Sequence, residues 1–281
     1  MDANLISVSR KAWGDLETLH VVGYFAPEVT KEYVDLGLHP ELAYFPARAA
    51  AMGAVGAGVT VATFYVFGPR LVGAALPSAW DVTTPEQVVG ARRTGMTAVL
   101  ERVLGAPDVS EALGIAREVC DALSPQGRPL YAAHADLPWP EDDLLALWHA
   151  STLVREHRGD GHVAVLQHAG LGPVEATVLG GLWSGTTRFL RKTRGWSDAE
   201  YDEAVEQLRA DGWLDDAGEL TGTGRSRRQQ IEDDTDRLAL EGWSRVGAGR
   251  TARLHELVKP LRETIAGSDV LPRSLRGRRS S

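Results

Sequence analysis

Cysteine is almost missing from this chain. One residue, Cys120, stands among 281, so no internal disulfide can form. Set in Arg-Glu-Val-Cys-Asp-Ala-Leu123, it reads as a small core residue rather than a nucleophile. A basic surplus is missing as well: 30 Lys/Arg face 38 Asp/Glu, for a net charge of −8. From Arg188 onward the signs nearly balance, with 18 basic and 17 acidic residues, so the excess acid lies in the first two thirds. Neither portion carries the basic footprint of a nucleic-acid binder. There is no P-loop, no Gly-x-Ser-x-Gly elbow, no Gly-x-Gly-x-x-Gly after a strand and no zinc spacing. No cofactor and no metal are therefore expected. Met1–Arg10 lacks the basic-then-apolar pattern of a secretory leader, which makes the cytoplasm the expected location. The uncharged stretch Ala49–Pro69 is long enough to span a bilayer. Gly53, Gly56 and Gly58 interrupt it, so it reads as buried core and no membrane partner is expected. No internal repeat is present.

Helical signals dominate what remains. Ser9 to about Gly23 carries Trp13, Leu16, Leu19 and His20 at helical spacing, and Pro40–Ala51 reads as a short helix. The β-branched run Val59–Phe67 fits helix and strand equally. Thr84-Pro85-Glu86-Gln87 is a complete helix start, and that helix should reach Leu104 and stop at Gly105. Another should cover Val109–Leu123. Pro140 with Glu141, Asp142 and Asp143 opens a helix expected to end at Arg155, His157 and Arg158, before Gly159. Asp160 would then cap a separate helix through Gln167. Gly170–Pro173 is the best domain boundary. Beyond it, helices are expected at Pro173–Trp183, Thr186–Thr193, Gly224–Leu240 and Arg250–Ala266, the last bent at Pro260. The arginine-rich tail Arg273–Ser281 should be disordered.

Ser197 to Thr221 is the most informative stretch. Ser197 and Glu200 form a capping box, and Tyr201, Ala204, Val205 and Leu208 make one buried stripe. Gly212 ends the helix, and Trp213-Leu214, a turn over Asp215–Gly218 and Leu220-Thr221 suggest a hairpin. These residues, with Leu220-Thr-Gly-Thr-Gly224 and Ile231–Leu238, resemble a MarR-type (multiple-antibiotic-resistance-type) winged helix over roughly 60–90 residues. The whole chain resembles a group of uncharacterised actinobacterial proteins carrying a helix-turn-helix label. Ala62–Phe67, Leu137-Pro-Trp-Pro140, Leu153–His162 and Thr193-Arg-Gly-Trp196 carry that likeness. The expected fold is mainly α: a helical ligand domain over 1–170, a winged-helix domain with a small β-hairpin wing over 171–268, and the tail 269–281. A winged helix implies DNA binding, but Asp198, Asp202 and Glu206 line the free face of the reading helix. Asp215, Asp216 and Glu219 crowd the hairpin tip. Acids at those positions repel a phosphate backbone.

The densest chemistry lies elsewhere, in Arg155-Glu-His-Arg-Gly-Asp-Gly-His162. As a helix–helix corner it brings His157, Asp160 and His162 into acid–base range, with Arg155 and Arg158 free to clamp an anion. His134, Tyr65, Trp148 and His149 are candidates to line the same pocket. A His157/Asp160/His162 metal triad matches no strong signature. The leading expectation is a small-molecule-binding protein on a winged-helix scaffold or dimer surface, taking an anionic or polar metabolite, with acid–base catalysis at the corner open. The alternative is a ligand-responsive transcription regulator in which Arg188, Arg191, Lys192 and Arg194 touch DNA phosphates.

Overall fold

The computed structural model describes residues 3–272. Fourteen α-helices follow one another along these residues: α1 (Ala3–Phe25), α2 (Pro27–Asp35), α3 (Tyr44–Ala49), α4 (Ala57–Phe64), α5 (Pro69–Ala75), α6 (Pro85–Leu104) and α7 (Ser110–Cys120) come first. Then come α8 (Pro129–Ala135), α9 (Asp143–His168), α10 (Pro173–Ser184), α11 (Thr187–Thr193), α12 (Asp198–Ala210), α13 (Gly222–Leu238) and α14 (Glu241–Gly267). The expected tail from Arg273 lies outside the described residues.

Local chemistry sets several ends as expected. Thr84 accepts from the Gln87 amide while the Gln87 side chain accepts from the Thr84 amide, fixing the start of α6. Ser197 and Glu200 do the same for α12. Tyr201, Ala204 and Leu208 of α12 are buried, as its stripe requires. The mainly α expectation holds, but the β-hairpin wing does not: among the described residues there is no strand. Leu214 and Leu220 form one isolated antiparallel bridge. The turn is closed by backbone and side chain together: the Gly218 amide donates to the Asp215 carbonyl, the Asp215 amide to the Glu219 carbonyl, and the Asp215 carboxylate accepts the amides of Ala217 and Glu219. With two residues on either side and no neighbouring strand, a ladder has nothing to extend it.

The apolar interior divides in two. A large core gathers Leu16, Leu19, Met96, Val99, Leu130 and Leu147, and α14 returns to join it through Leu254, Val258 and Ile265. The pairing of α1 with α14 is its most extensive. A smaller core joins Leu166, Leu171, Leu179, Tyr201, Leu208, Trp213 and Ile231. Helix α9 enters both, packing Leu144–Val154 into the first and Val165 and Leu166 into the second. A seam joins the two bodies: the Gly68 amide donates to the Arg194 carbonyl at 2.7 Å, and Trp196 Nε1 to the Val66 carbonyl at 3.0 Å. Within α14 the backbone leaves the helical conformation at Gly247 (φ 77°), not at the expected Pro260, which lies inside the helix. The uncharged stretch after Ala49 is likewise broken. Tyr44–Met52 and Ala57–Phe64 meet at 95°, and no single helix among the described residues is long and apolar enough to cross a membrane. Thr60 and Phe64 are buried there while Val59 faces solvent, so only part of this stretch is core.

Helices α2 and α6 touch backbone to backbone at Gly95, where a Cβ would stand 2.5 Å from the Val29 Cα. Gly95→Ala should therefore cost about 1–3 kcal/mol by overpacking. Gly90→Ala on the same helix meets nothing within 4 Å and should gain up to about 1 kcal/mol in helix propensity. Urea unfolding of the two variants should move in opposite directions; equal shifts would contradict the crossing.

Candidate functional site

The corner expected at Gly159 is absent, because Asp143–His168 is one continuous helix. Asp160 caps another helix instead of a new one of its own. Its carboxylate accepts the amides of Leu130 (3.0 Å) and Tyr131 (2.9 Å) at the start of α8. Gly161 has a tertiary purpose too. A Cβ there would stand 2.5 Å from Arg128 Nη1, and without one that guanidinium donates to the His157 carbonyl at 2.5 Å and to the Leu238 carbonyl at 2.8 Å. These contacts offset helix-interior glycines that weaken a helix by about 1 kcal/mol each.

A continuous helix turns neighbouring residues to different sides, and the expected site residues separate accordingly. Arg155 and Glu156 face the large core. Glu156 is 1% exposed; Arg48 donates to both its oxygens, at 3.2 and 2.8 Å, and Arg155 adds a bond of 2.6 Å. Burial alone would raise the Glu156 pKa, but the two guanidinium groups hold it well below the usual carboxylate range. His157 lies edge-on to Tyr131 with Nε2 3.6 Å from Glu241. Arg158 and His162, one turn apart, face α13. Arg158 binds Glu232 (3.0 Å) and Asp236 (2.9 Å) beneath the Trp13 ring, while His162 Nδ1 lies 2.8 Å from Thr235 Oγ1. The Thr235 hydroxyl donates to the Ile231 carbonyl, so the imidazole donates to it from Nδ1 and keeps Nε2 as an acceptor. Thus His157, Asp160 and His162 point to three separate partners. His134, Trp148 and His149 lie buried in the large core, and Tyr65 donates to the Leu171 carbonyl at 2.5 Å from a backbone with φ 58°. Neither group shares a pocket with His162.

What His162 does line is a cavity of about 150 Å³ between α9, α10, α11 and α13. Leu166, Leu171, Leu179 and Leu190 supply apolar wall, and Arg194 and Arg228 enter it from opposite helices. Arg228 is 5% exposed; its Nη2 binds Glu232 at 2.7 Å while Nη1 is buried without a partner. Among the described residues the Arg194 side chain donates only to the Thr193 hydroxyl (2.9 Å), and it lies over the Phe67 ring at 4.5 Å. Among the described residues no carboxylate pairs with it, and burial lowers its pKa. Of the four cations assigned to DNA in the alternative reading, Arg194 thus turns inward. Arg191 is engaged by Asp198 (2.7 Å) and Asp202 (3.4 Å), leaving Arg188 and Lys192 exposed. On α12 the acids do face solvent: the side chains of Asp198, Asp202 and Glu206 are 85%, 73% and 70% exposed.

Helices α10, α11 and α12 follow one another as a helix, a short helix and a capped helix. Residues 9–272 fit a helix-turn-helix family over nearly the entire chain. The chain belongs to the helix-turn-helix family. No curated protein and no solved structure matches it. In this helix-turn-helix protein, sequence reasoning missed Arg48, Arg92 and Arg228. The available signal was weak: Arg48 interrupts the apolar run Phe45–Ala51, and Arg92 falls on the buried stripe of α6.

Burial brings the pKa of His157 down to about 4, with Arg128 adding to the effect. In the unfolded chain it titrates near 6.5, so its stabilising contribution is complete above that value and is lost as pH falls toward 4. Asp160 acts oppositely, because burial pushes it up to about 6 and protonation then favours the folded state. His157→Gln should reduce the stability lost between pH 7 and pH 4.5 by about 2 kcal/mol. Urea titrations at the two pH values check this; an unchanged loss would mean that His157 is not held neutral.

Proposed function

We propose that this protein binds a small organic anion in the cavity between α9, α10, α11 and α13, and that α12 does not read DNA. The observation that carries the reading is the Arg194 guanidinium, brought into an apolar cavity with no carboxylate to neutralise it. Arg194 is half-buried, and a charge partly withdrawn from water without a partner is costly, which an arginine cannot avoid by shedding its proton. Arg228 Nη1 faces the same need. A ligand carboxylate or phosphate would satisfy both, and a cavity of this size accepts an apolar body about as large as a benzene ring. The Nε2 lone pair of His162 favours a ligand that also carries a hydroxyl or amine. The divergence of His157, Asp160 and His162 supports binding over acid–base chemistry. Against DNA stand the exposed acids of α12, which repel phosphates wherever a duplex approaches.

Family membership favours one second reading, a regulator that grips DNA through Arg188 and Lys192. Two measurements separate the readings. A panel of aromatic and aliphatic carboxylates should raise the melting temperature saturably. Arg194→Met and Arg228→Met should each weaken binding of the best compound about 10- to 100-fold, the loss of one charge-assisted contact, while Arg188→Met leaves it unchanged. Normal binding by both cavity variants would remove the cavity from consideration. Fluorescence anisotropy with a mixed-sequence duplex at low salt should show no binding. Tight, salt-sensitive binding lost in Arg188→Glu with Lys192→Glu would favour the regulator.

A further inference from the structure

Helix α6 presents Val88, Ala91, Gly95, Met96 and Val99 to the large core, and Arg92 lies on that same stripe. It is 5% exposed. No hydrogen bond or ion pair reaches its side chain among the described residues, and its Nη2 is fully buried without a partner. The guanidinium lies over the Trp148 ring at 4.8 Å, its one polar-type contact. A desolvated cation–π contact contributes roughly 2 kcal/mol, against several kcal/mol lost on removing a charge from water. Deprotonation offers no escape, since guanidinium stays charged in proteins.

The interior carboxylates nearby are already committed. Arg48 and Arg155 share Glu156, and Arg155 also reaches the part-buried Glu17 at 3.7 Å. Among the described residues no carboxylate pairs with Arg92. Around it lie further orphan groups. Trp148 Nε1, His134 Nε2 and His149 Nε2 are buried without partners, on α9 and α8. An indole N–H can only donate, so it requires an acceptor. Arg92 is the foremost charge acting on His134 after the effect of burial, which places the two in electrostatic reach of each other.

We infer that the large core holds a small monovalent anion at Arg92, where α6, α8 and α9 converge, with His134 and Trp148 supplying further N–H donors. A cation is excluded by the guanidinium, and a neutral water would satisfy the donors but leave the charge. The anion must be compact, because packing against α1 is close: a Cβ on Gly23 would meet Met96 Sδ at 3.3 Å, Trp148 at 3.8 Å and Arg92 Nε at 3.9 Å. A halide ion and a formate-sized carboxylate share the required chemistry. This site is separate from the cavity at Arg194, and neither reading depends on the other.

The test compares melting temperatures of dialysed full-length protein in sodium gluconate at fixed ionic strength, with chloride, bromide or formate replacing the bulky anion. Wild type should show a saturable rise with at least one of the small anions. Arg92→Met should remain folded, since a buried charge exchanged for an apolar side chain is often neutral or stabilising, and should lose the rise. Arg194→Met should keep it. Crystals grown in bromide should show an anomalous peak beside Arg92 in the wild-type protein, which decides the matter even if Arg92→Met does not fold. Response to formate with neither a bromide shift nor a bromide peak would assign the occupant to the carboxylate class. No saturable response to any of the three, together with no bromide peak, would overturn the inference and leave water as the occupant.

Discussion

A carboxylate shut away from water between two guanidinium groups is the interaction on which the rest of this protein depends. Glu156 ties α9 to α3 through Arg48, and Arg155 extends the link toward Glu17 on α1. Removing one partner from such a group typically costs 3–5 kcal/mol, because the remaining charge has nowhere to go. Arg48 in turn rests on Phe64 at 4.3 Å and donates to the Tyr44 hydroxyl at 2.9 Å. The aromatic cluster of Tyr44, Phe45, Phe64 and Phe67 is therefore organised around a cation as much as around its own apolar area.

The same helix that carries Glu156 joins the two apolar interiors. Its polar middle lies between them, so the charges there are shared among α1, α8 and α13 rather than gathered into one pocket. On the far side, Arg158 and Arg10 converge on Asp236 of α13, and Arg158 and Arg228 on Glu232. Every acid on that face of α13 is thereby engaged. Arg194 arrives from α11 with no acid left for it, and the cavity beside it acquires a positive wall. The cavity's chemistry is thus a remainder of how charges were distributed elsewhere.

Parts of this were legible from the sequence for definite reasons. Thr84-Pro85 and Ser197-x-x-Glu200 announce their helices because the signal is local: the capping groups lie within three residues of one another. Acidic residues on α12 could be assigned to solvent from the stripe of Tyr201, Ala204 and Leu208 on its other face. Gly159-Asp160-Gly161 misled because its compensation is tertiary. The partners of Asp160 and Gly161 lie about thirty residues away in α8 and its approach, and nothing in the local pattern distinguishes a helix stop from a helix interior approached by a neighbour. The wing misled for a related reason. Its turn chemistry at Asp215 is present, but a turn fixes only itself, and strands need neighbours that this fold does not provide. Arg92 left only a weak signal, its place on the apolar stripe of α6, and Arg228 left none, because arginine on a polar-rich helix such as α13 ordinarily belongs to the surface.

Arg128 bears a consequence for how this chain can change over time. Its fork joins the His157 carbonyl of α9 to the Leu238 carbonyl at the end of α13, and it can do so only because position 161 lacks a side chain. A lysine at 128 has one nitrogen where two directions must be served. A methyl group at 161 occupies the fork's own space. Positions 128 and 161 are thus one packing unit, in which a change at either redirects the fork.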